Sequence, residues 1–282
     1  KTDKPVPPDG GTNKDKAPTS EIPQTQVITM SMGEKVYYKA GLVEKIEIEG
    51  AIANPTMPLE FVACADGGKA YESLVVLKCK PWNVQLALIL AGLKEGGGPK
   101  TFGDTAKPTG DLVLVSIAWQ DKDKTARPNP APVEQGGGQV SYRVEELLID
   151  SATKKTLDLV GWSFSGSMFV DEMDYDTGKP TGKKIYLADI EKNIIASWHD
   201  PAAILNIPTS GGLYLPYKEL LPAAGTKIIM TIRPPTPKEL EELKKVNAEV
   251  AEREKKLREE REKPAPRPVQ PERGPGGQEA PK

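Results

Sequence analysis

One histidine and two cysteines in 282 residues leave little for metal or redox chemistry. A structural zinc usually takes four Cys or His ligands and an iron–sulfur cluster four cysteines, so most such sites are excluded and no cofactor is expected. Long apolar runs are missing too. The longest candidate, residues 84–93, is interrupted by Gly92 and falls well short of the roughly 18 to 20 residues that a spanning helix needs, so no transmembrane segment is expected. Charge of one sign is also absent. The 38 Lys and Arg nearly cancel the 40 Asp and Glu, and no field of one sign draws the chain to nucleic acid or to an anionic membrane.

Proline sorts what is present. Of 27 prolines, four fall in residues 1–20 and nine in residues 234–282, so the ends are not core. Residues 1–20 hold a single Val among Pro, Gly, Lys, Asp and Thr and cannot bury enough apolar surface to offset backbone ordering; they are expected to be a flexible tether, with the envelope as a possible anchor point. The sequence opens at Lys1 and not at Met, so processing or trimming is expected, and any export signal would already be gone. At the other end, Thr236, Pro237 and Glu239 form a capping box that starts a charged helix over 236–263. Glu-to-basic pairs four apart support it, among them Glu249 with Arg253 and Glu254 with Arg258. Leu243, Val250 and Leu257 recur at seven, with Val246 between, but Arg253 and Glu260 break the seam, so a solvent-exposed helix is expected. A Pro- and Gly-rich disordered tail is expected over 264–282.

Between these ends, residues 21–235 are read as one globular domain with a mild net charge, 22 basic against 26 acidic residues. The pattern is mostly strands. Residues 45–49 alternate Ile with charge, 111–120 are apolar on both faces, and 59–65, 74–79, 161–170, 184–188, 193–198 and 226–233 are further short runs. One internal helix stands out, opened by Pro81, running from Trp82 to Ala91 and stopped by Gly92; its many apolar residues predict that it is buried. The fold class expected is α+β, mainly β: an antiparallel sheet or sandwich with one buried internal helix and a charged C-terminal helix.

Candidate chemistry is thin. Cys64 is the residue with most to offer as a reactive thiol, against the plain reading of a small buried hydrophobe. If residues 66–69 turn a hairpin, Cys64 faces Tyr71, which at neutral pH is neither base nor cation. The same register sets Cys79 far from Cys64, and whether the two bridge is left open. Residues 161–165 fall one residue short of a nucleophile elbow, because Ser165 stands where the second Gly must be, and His199 before Asp200 and Pro201 reads as a turn residue. Residues 94–101 follow a helix where a phosphate cradle precedes one. Asp171, Asp174 and Asp176 alternate before Gly178 and are the one candidate set for calcium, within what reads more simply as a solvated hairpin loop.

The segments Leu59-Glu60-Phe61-Val62-Ala63-Cys64, Gly68-Lys69, Glu72-Ser73-Leu74, Pro81 and Ala87-Leu88 resemble the bacterial YdjY-domain family. The likeness runs on through Trp119, Trp162, Phe164 to Ser167, Tyr186 to Asp189, Asp200 to Ala202 and Gly225 to Lys227, over roughly residues 35–233. The resemblance implies an exported protein of the periplasm or cell envelope without an assigned activity, although some members carry ferredoxin-like or reductase labels. Members usually show His where Tyr71 and Gln85 stand, and both are lost here. The pocket candidates it implies are Cys64, Lys69, Tyr71, Glu72 and Gln85. The function expected is a non-enzymatic domain that binds or packs against a protein partner or itself; the alternative is a redox or ligand-binding enzyme with Cys64 as its reactive thiol.

Overall fold

The computed structural model describes residues 24–121, 133–134, 138–151 and 153–262. The expected tether and tail lie outside these residues. Along the chain come β1 (Gln26–Thr29), β2 (Lys35–Lys39), β3 (Leu42–Ile52), β4 (Phe61–Ala65), β5 (Ser73–Leu77), α1 (Pro81–Leu90), β6 (Leu112–Gln120), β7 (Val133–Glu134), β8 (Gln139–Arg143) and β9 (Leu148–Asp150). Then follow β10 (Trp162–Phe164), β11 (Phe169–Met173), β12 (Pro180–Tyr186), α2 (Leu187–Glu191), β13 (Asn193–Ala196), β14 (Leu205–Asn206), β15 (Tyr214–Pro216), β16 (Lys227–Arg233) and α3 (Pro237–Glu262).

Eight of these strands close a barrel in the order β3, β5, β4, β13, β14, β10, β6, β16 and back to β3. The two longest strands make closure possible, because each divides one edge between two neighbours. β3 gives Leu42–Glu47 to β2 and Gly50–Ile52 to β5, while β6 gives its start to β10 and Ser116–Gln120 to β8. Their other edges both take β16. Gly50 permits the bend of β3 onto β5, since a Cβ there would meet the Val76 carbonyl oxygen at 2.5 Å.

The mainly β character stands, and the simple antiparallel sheet or sandwich is corrected to a closed, mixed barrel. Two of its pairings, β4 with β5 and β13 with β14, are parallel. β10, β13 and β14 are short and buried on both faces, so they carry no alternation from which closure could be read. The run 161–170 is likewise two strands, β10 and β11, that belong to different sheets.

Alternation does explain the long strands. Ile46, Ile48 and Ile52 of β3 and Ile228, Met230 and Ile232 of β16 turn into the core with Trp119, Trp162 and Phe164, while Lys45, Glu47, Glu49 and Lys227 turn out. Each such apolar side chain contributes about 1.5–3 kcal/mol by leaving water.

α1 starts as expected with Pro81 at its first turn, but Lys80 offers no side-chain cap. Two carboxylates from distant segments take that role. Glu34 Oε1 accepts from the Lys80 amide at 2.7 Å, and Asp189 Oδ1 accepts from the Trp82 amide at 2.9 Å, both at the positive end of the helix. The expectation that α1 is buried holds for one face only. Val84, Ala87 and Leu88 enter the core, whereas Ile89 and Leu90, 43% and 59% exposed, turn outward in an apolar stripe at helical spacing with half-buried Leu86 and with Trp82, which also packs partly against the core.

α3 carries the capping box read from the sequence: the Thr236 amide donates to Glu239 Oε2 at 2.8 Å and the Glu239 amide to Thr236 Oγ1 at 3.3 Å. Its solvated character is corrected in part. Leu243 and Val250 are buried, Val246 packs against the core, and Asn247 Nδ2 donates to the Val160 carbonyl at 2.8 Å. A short apolar stripe is thus enough to dock a helix that is polar on its remaining faces, and Leu257 lies beyond the contact, exposed. Lys245 and Glu249 keep a pair four apart at 4.0 Å, but Arg253 and Glu254 turn to tertiary partners: Arg253 binds Asp158, and Glu254 binds Lys107 at 2.6 Å and the Ser210 amide at 2.8 Å.

Candidate functional site

Cys64 is fully buried in β4, level with Val76 of β5 in a parallel register and with Asn193 of β13 in an antiparallel one. The expected hairpin that set it opposite Tyr71 is therefore overturned. Residues 66–72 do not turn into an antiparallel partner; they carry the chain back along β4, so that Ser73 begins β5 beside Phe61. The return lies tightly on the thiol: a Cβ at Gly68 would sit 2.8 Å from Lys192 Cβ and 3.0 Å from Cys64 Cβ. Burial pushes the Cys64 thiol up from its ordinary range, and Asp66 and Glu72 push the same way, against an opposing hydrogen bond from Ser73. A thiolate is disfavoured there. Cys79, at the end of β5, is also buried and held well above its usual range by desolvation, and both cysteines are free.

The remaining sequence candidates divide. Tyr71 is 73% exposed, and its carbonyl accepts from Asn54 Nδ2 at 2.7 Å. Gln85 is buried in α1, where its amide oxygen accepts from the Tyr186 hydroxyl and the Ser167 amide, and its Nε2 donates to Glu95 at 3.0 Å. Cys64, Tyr71 and Gln85 thus have separate partners.

Lys69 and Glu72 do come together, at 4.0 Å. Around Lys69 the fold gathers residues that sequence reasoning missed. Its ammonium stands 5.2 Å from the Phe61 ring centre and 5.8 Å from that of Phe102, and Phe102 leans on Trp198 at 6.4 Å. Burial raises the Glu60 carboxyl, helped by the charge of Glu72 beside it, while Lys69 pulls it down. Asp200 is also raised by burial, against hydrogen bonds from the Ala202 amide at 2.9 Å and Asn193 Nδ2 at 2.5 Å. The arrangement can bind polar groups at its rim. Within it, Glu72 pushes the Cys64 thiol up and away from the thiolate form. No spacing signal could have revealed it, because four segments between Glu60 and Asp200 meet only through the barrel.

Ser165 and His199 are not a catalytic pair. Ser165 Oγ accepts from Asn206 Nδ2 at 2.9 Å, and both His199 ring nitrogens face backbone carbonyls, Nδ1 that of Asp104 at 2.7 Å and Nε2 that of Thr209 at 2.9 Å. Asp171 pairs with Lys184 at 2.8 Å across the β11–β12 hairpin, and Asp174 closes the turn by accepting from the Thr177 amide and hydroxyl at 2.7 Å. Among the described residues, no group of three Asp, Glu, His or Cys side chains is gathered as a metal site.

No helix of the described residues is long and apolar enough to cross a membrane. No curated protein and no solved structure matches the chain. A family model described as the YdjY domain matches residues 38–233, a span that takes in the whole closed barrel and stops before α3. The chain belongs to the YdjY-domain family.

Proposed function

We propose that the protein is a non-enzymatic domain of the cell envelope that binds a protein partner through the outer face of α1. The observation that carries this reading is the stripe of Trp82, Leu86, Ile89 and Leu90 on a helix without a charged residue. An uncharged apolar stripe that ends in two exposed aliphatic side chains, Ile89 and Leu90, has the composition of a surface that another apolar surface covers. The stripe is extended sideways: Phe169, 53% exposed, stands edge-on to Trp82 at 5.8 Å, and both rings adjoin Tyr186. Export rests on the family resemblance. The burial of Cys64 weighs against the alternative of thiol-based chemistry, since a redox or covalent step needs an accessible thiolate.

Ile89→Glu and Leu90→Glu test the reading, because both side chains are exposed and the substitutions leave the core intact. A photo-reactive residue placed at position 86 in the full chain, expressed in its native envelope, should give one discrete adduct that either substitution removes. A second copy of the chain in that adduct identifies self-association. A chain that gives no adduct and sediments as a monomer would contradict the proposal.

A further inference from the structure

A cleft of about 560 Å³ opens where the last turns of α3 pass the turns at 103–105, 198–199 and 210–211. That size falls within the range of small-molecule sites. Its walls are fixed. The Gly103 amide donates to the His199 carbonyl at 2.7 Å, the buried His199 ring is held between the Asp104 and Thr209 carbonyls, and Gly211 sits so close that a Cβ would come within 3.0 Å of the imidazole. The half-buried Trp198 forms part of its lining.

Two charged side chains line the cleft, Asp104 and Arg258. Asp104 accepts from the Lys100 and Ala106 amides at 3.0 and 2.9 Å, and its carboxyl is held below its usual range chiefly by these bonds. Glu254 is taken by Lys107 and by the Ser210 amide. Arg258, one turn further along α3, is thereby deprived of the Glu254 partner that its sequence spacing offers, and it makes no ion pair among the described residues. An exposed guanidinium without an ion pair among the described residues thus lines the same cleft as an indole.

We propose that this cleft binds an anionic small molecule, a carboxylate or phosphate carried on a flat apolar body, with Arg258 holding the anion and Trp198 the body. A planar five-donor guanidinium suits a two-oxygen anion, and an aromatic face suits a ring. The site goes beyond the α1 surface and does not depend on it.

Phenyl phosphate is the probe, titrated into the full chain with amide chemical shifts as the readout and inorganic phosphate as the comparison. Saturable binding in the millimolar range or tighter is expected, with shifts confined to residues around 103–105, 198–199, 210–211 and 258. Arg258→Gln should weaken it about tenfold or more, whereas Arg253→Gln, which removes a neighbouring arginine already paired with Asp158, should leave it unchanged. Inorganic phosphate should bind more weakly than phenyl phosphate. Failure of phenyl phosphate to saturate, equal affinity for Arg258→Gln and the parent, or equal affinity for the two probes would each overturn the proposal.

Discussion

Glu34 Oε1 accepts from Asn83 Nδ2 at 3.0 Å, so a carboxylate from the turn between β1 and β2 holds the first turn of a helix that begins far along the chain. The same carboxylate serves the Lys80 and Met32 amides, at 2.7 and 3.0 Å, and Glu34 is buried. Glu34→Ala would take this acceptor from the Lys80 and Met32 amides and leave Asn83 Nδ2 with Ser31 Oγ alone, and should destabilise the domain by about 2–4 kcal/mol. Glu34→Gln keeps one acceptor and should lose less. Equal stability of parent and alanine variant in urea unfolding would show that the carboxylate is not what anchors α1.

The inner face of α1 makes its own prediction. Leu88 is fully buried among Val84, Ala87 and the barrel core, so Leu88→Asp would bury a carboxylate without a partner and should destabilise by about 4 kcal/mol or more. A melting temperature within a few degrees of the parent would mean that the helix presents this face to water.

Docking of α3 is checked with trypsin. The helix is dense in Lys and Arg, including Lys244, Lys245, Arg253 and Lys255, and a solvated helix of this composition is cut quickly. With Leu243 and Val250 buried, limited digestion should leave residues 237–258 attached to the barrel, and Leu243→Asp should make them cleavable at once. Early cuts within this stretch of the parent chain would restore the solvated reading.

These two helices show what the sequence could and could not tell. The start signals of α1 and α3 were plain, since Pro81 and the Thr236–Glu239 box are local chemistry. Which face each helix buries was less plain, although the spacing of Trp82, Leu86, Ile89 and Leu90 already marks two apolar faces on α1. The register of Cys64 was out of reach. A Gly-Gly turn after an apolar run suggests a hairpin, and only the tertiary pairing of β4 with both β5 and β13 forces residues 66–72 to return the chain instead. The Lys69 cluster failed for the same reason, being assembled from segments as far apart as Glu60 and Asp200.

Acid should act through Glu239. Its carboxyl, bonded by the Arg233 guanidinium and then by Thr236, is held down at about 2. A depressed folded-state value means that the stabilisation is present above the unfolded carboxylate value, near 4.5, and is lost as pH falls from there to about 2. Glu60 and Asp200, raised by burial, act with the opposite sign, so the difference between parent and Glu239→Gln is the quantity to read. The parent should be more stable by about 1 kcal/mol at pH 6, and the gap should close through that window. A gap independent of pH would remove the ion pair from the account.

The reading of this protein as a binding domain and not a thiol enzyme meets its most direct test in the reactivity of Cys64. Native full-length protein is treated with iodoacetamide at neutral pH, and modification of Cys64 is followed by peptide mass spectrometry beside a urea-unfolded control. Buried beneath Gly68 and raised by that burial, Cys64 should be alkylated only at the rate at which the domain opens, and rapidly in urea. Rapid, stoichiometric alkylation of the native protein at Cys64 would contradict the account and favour chemistry at the thiol.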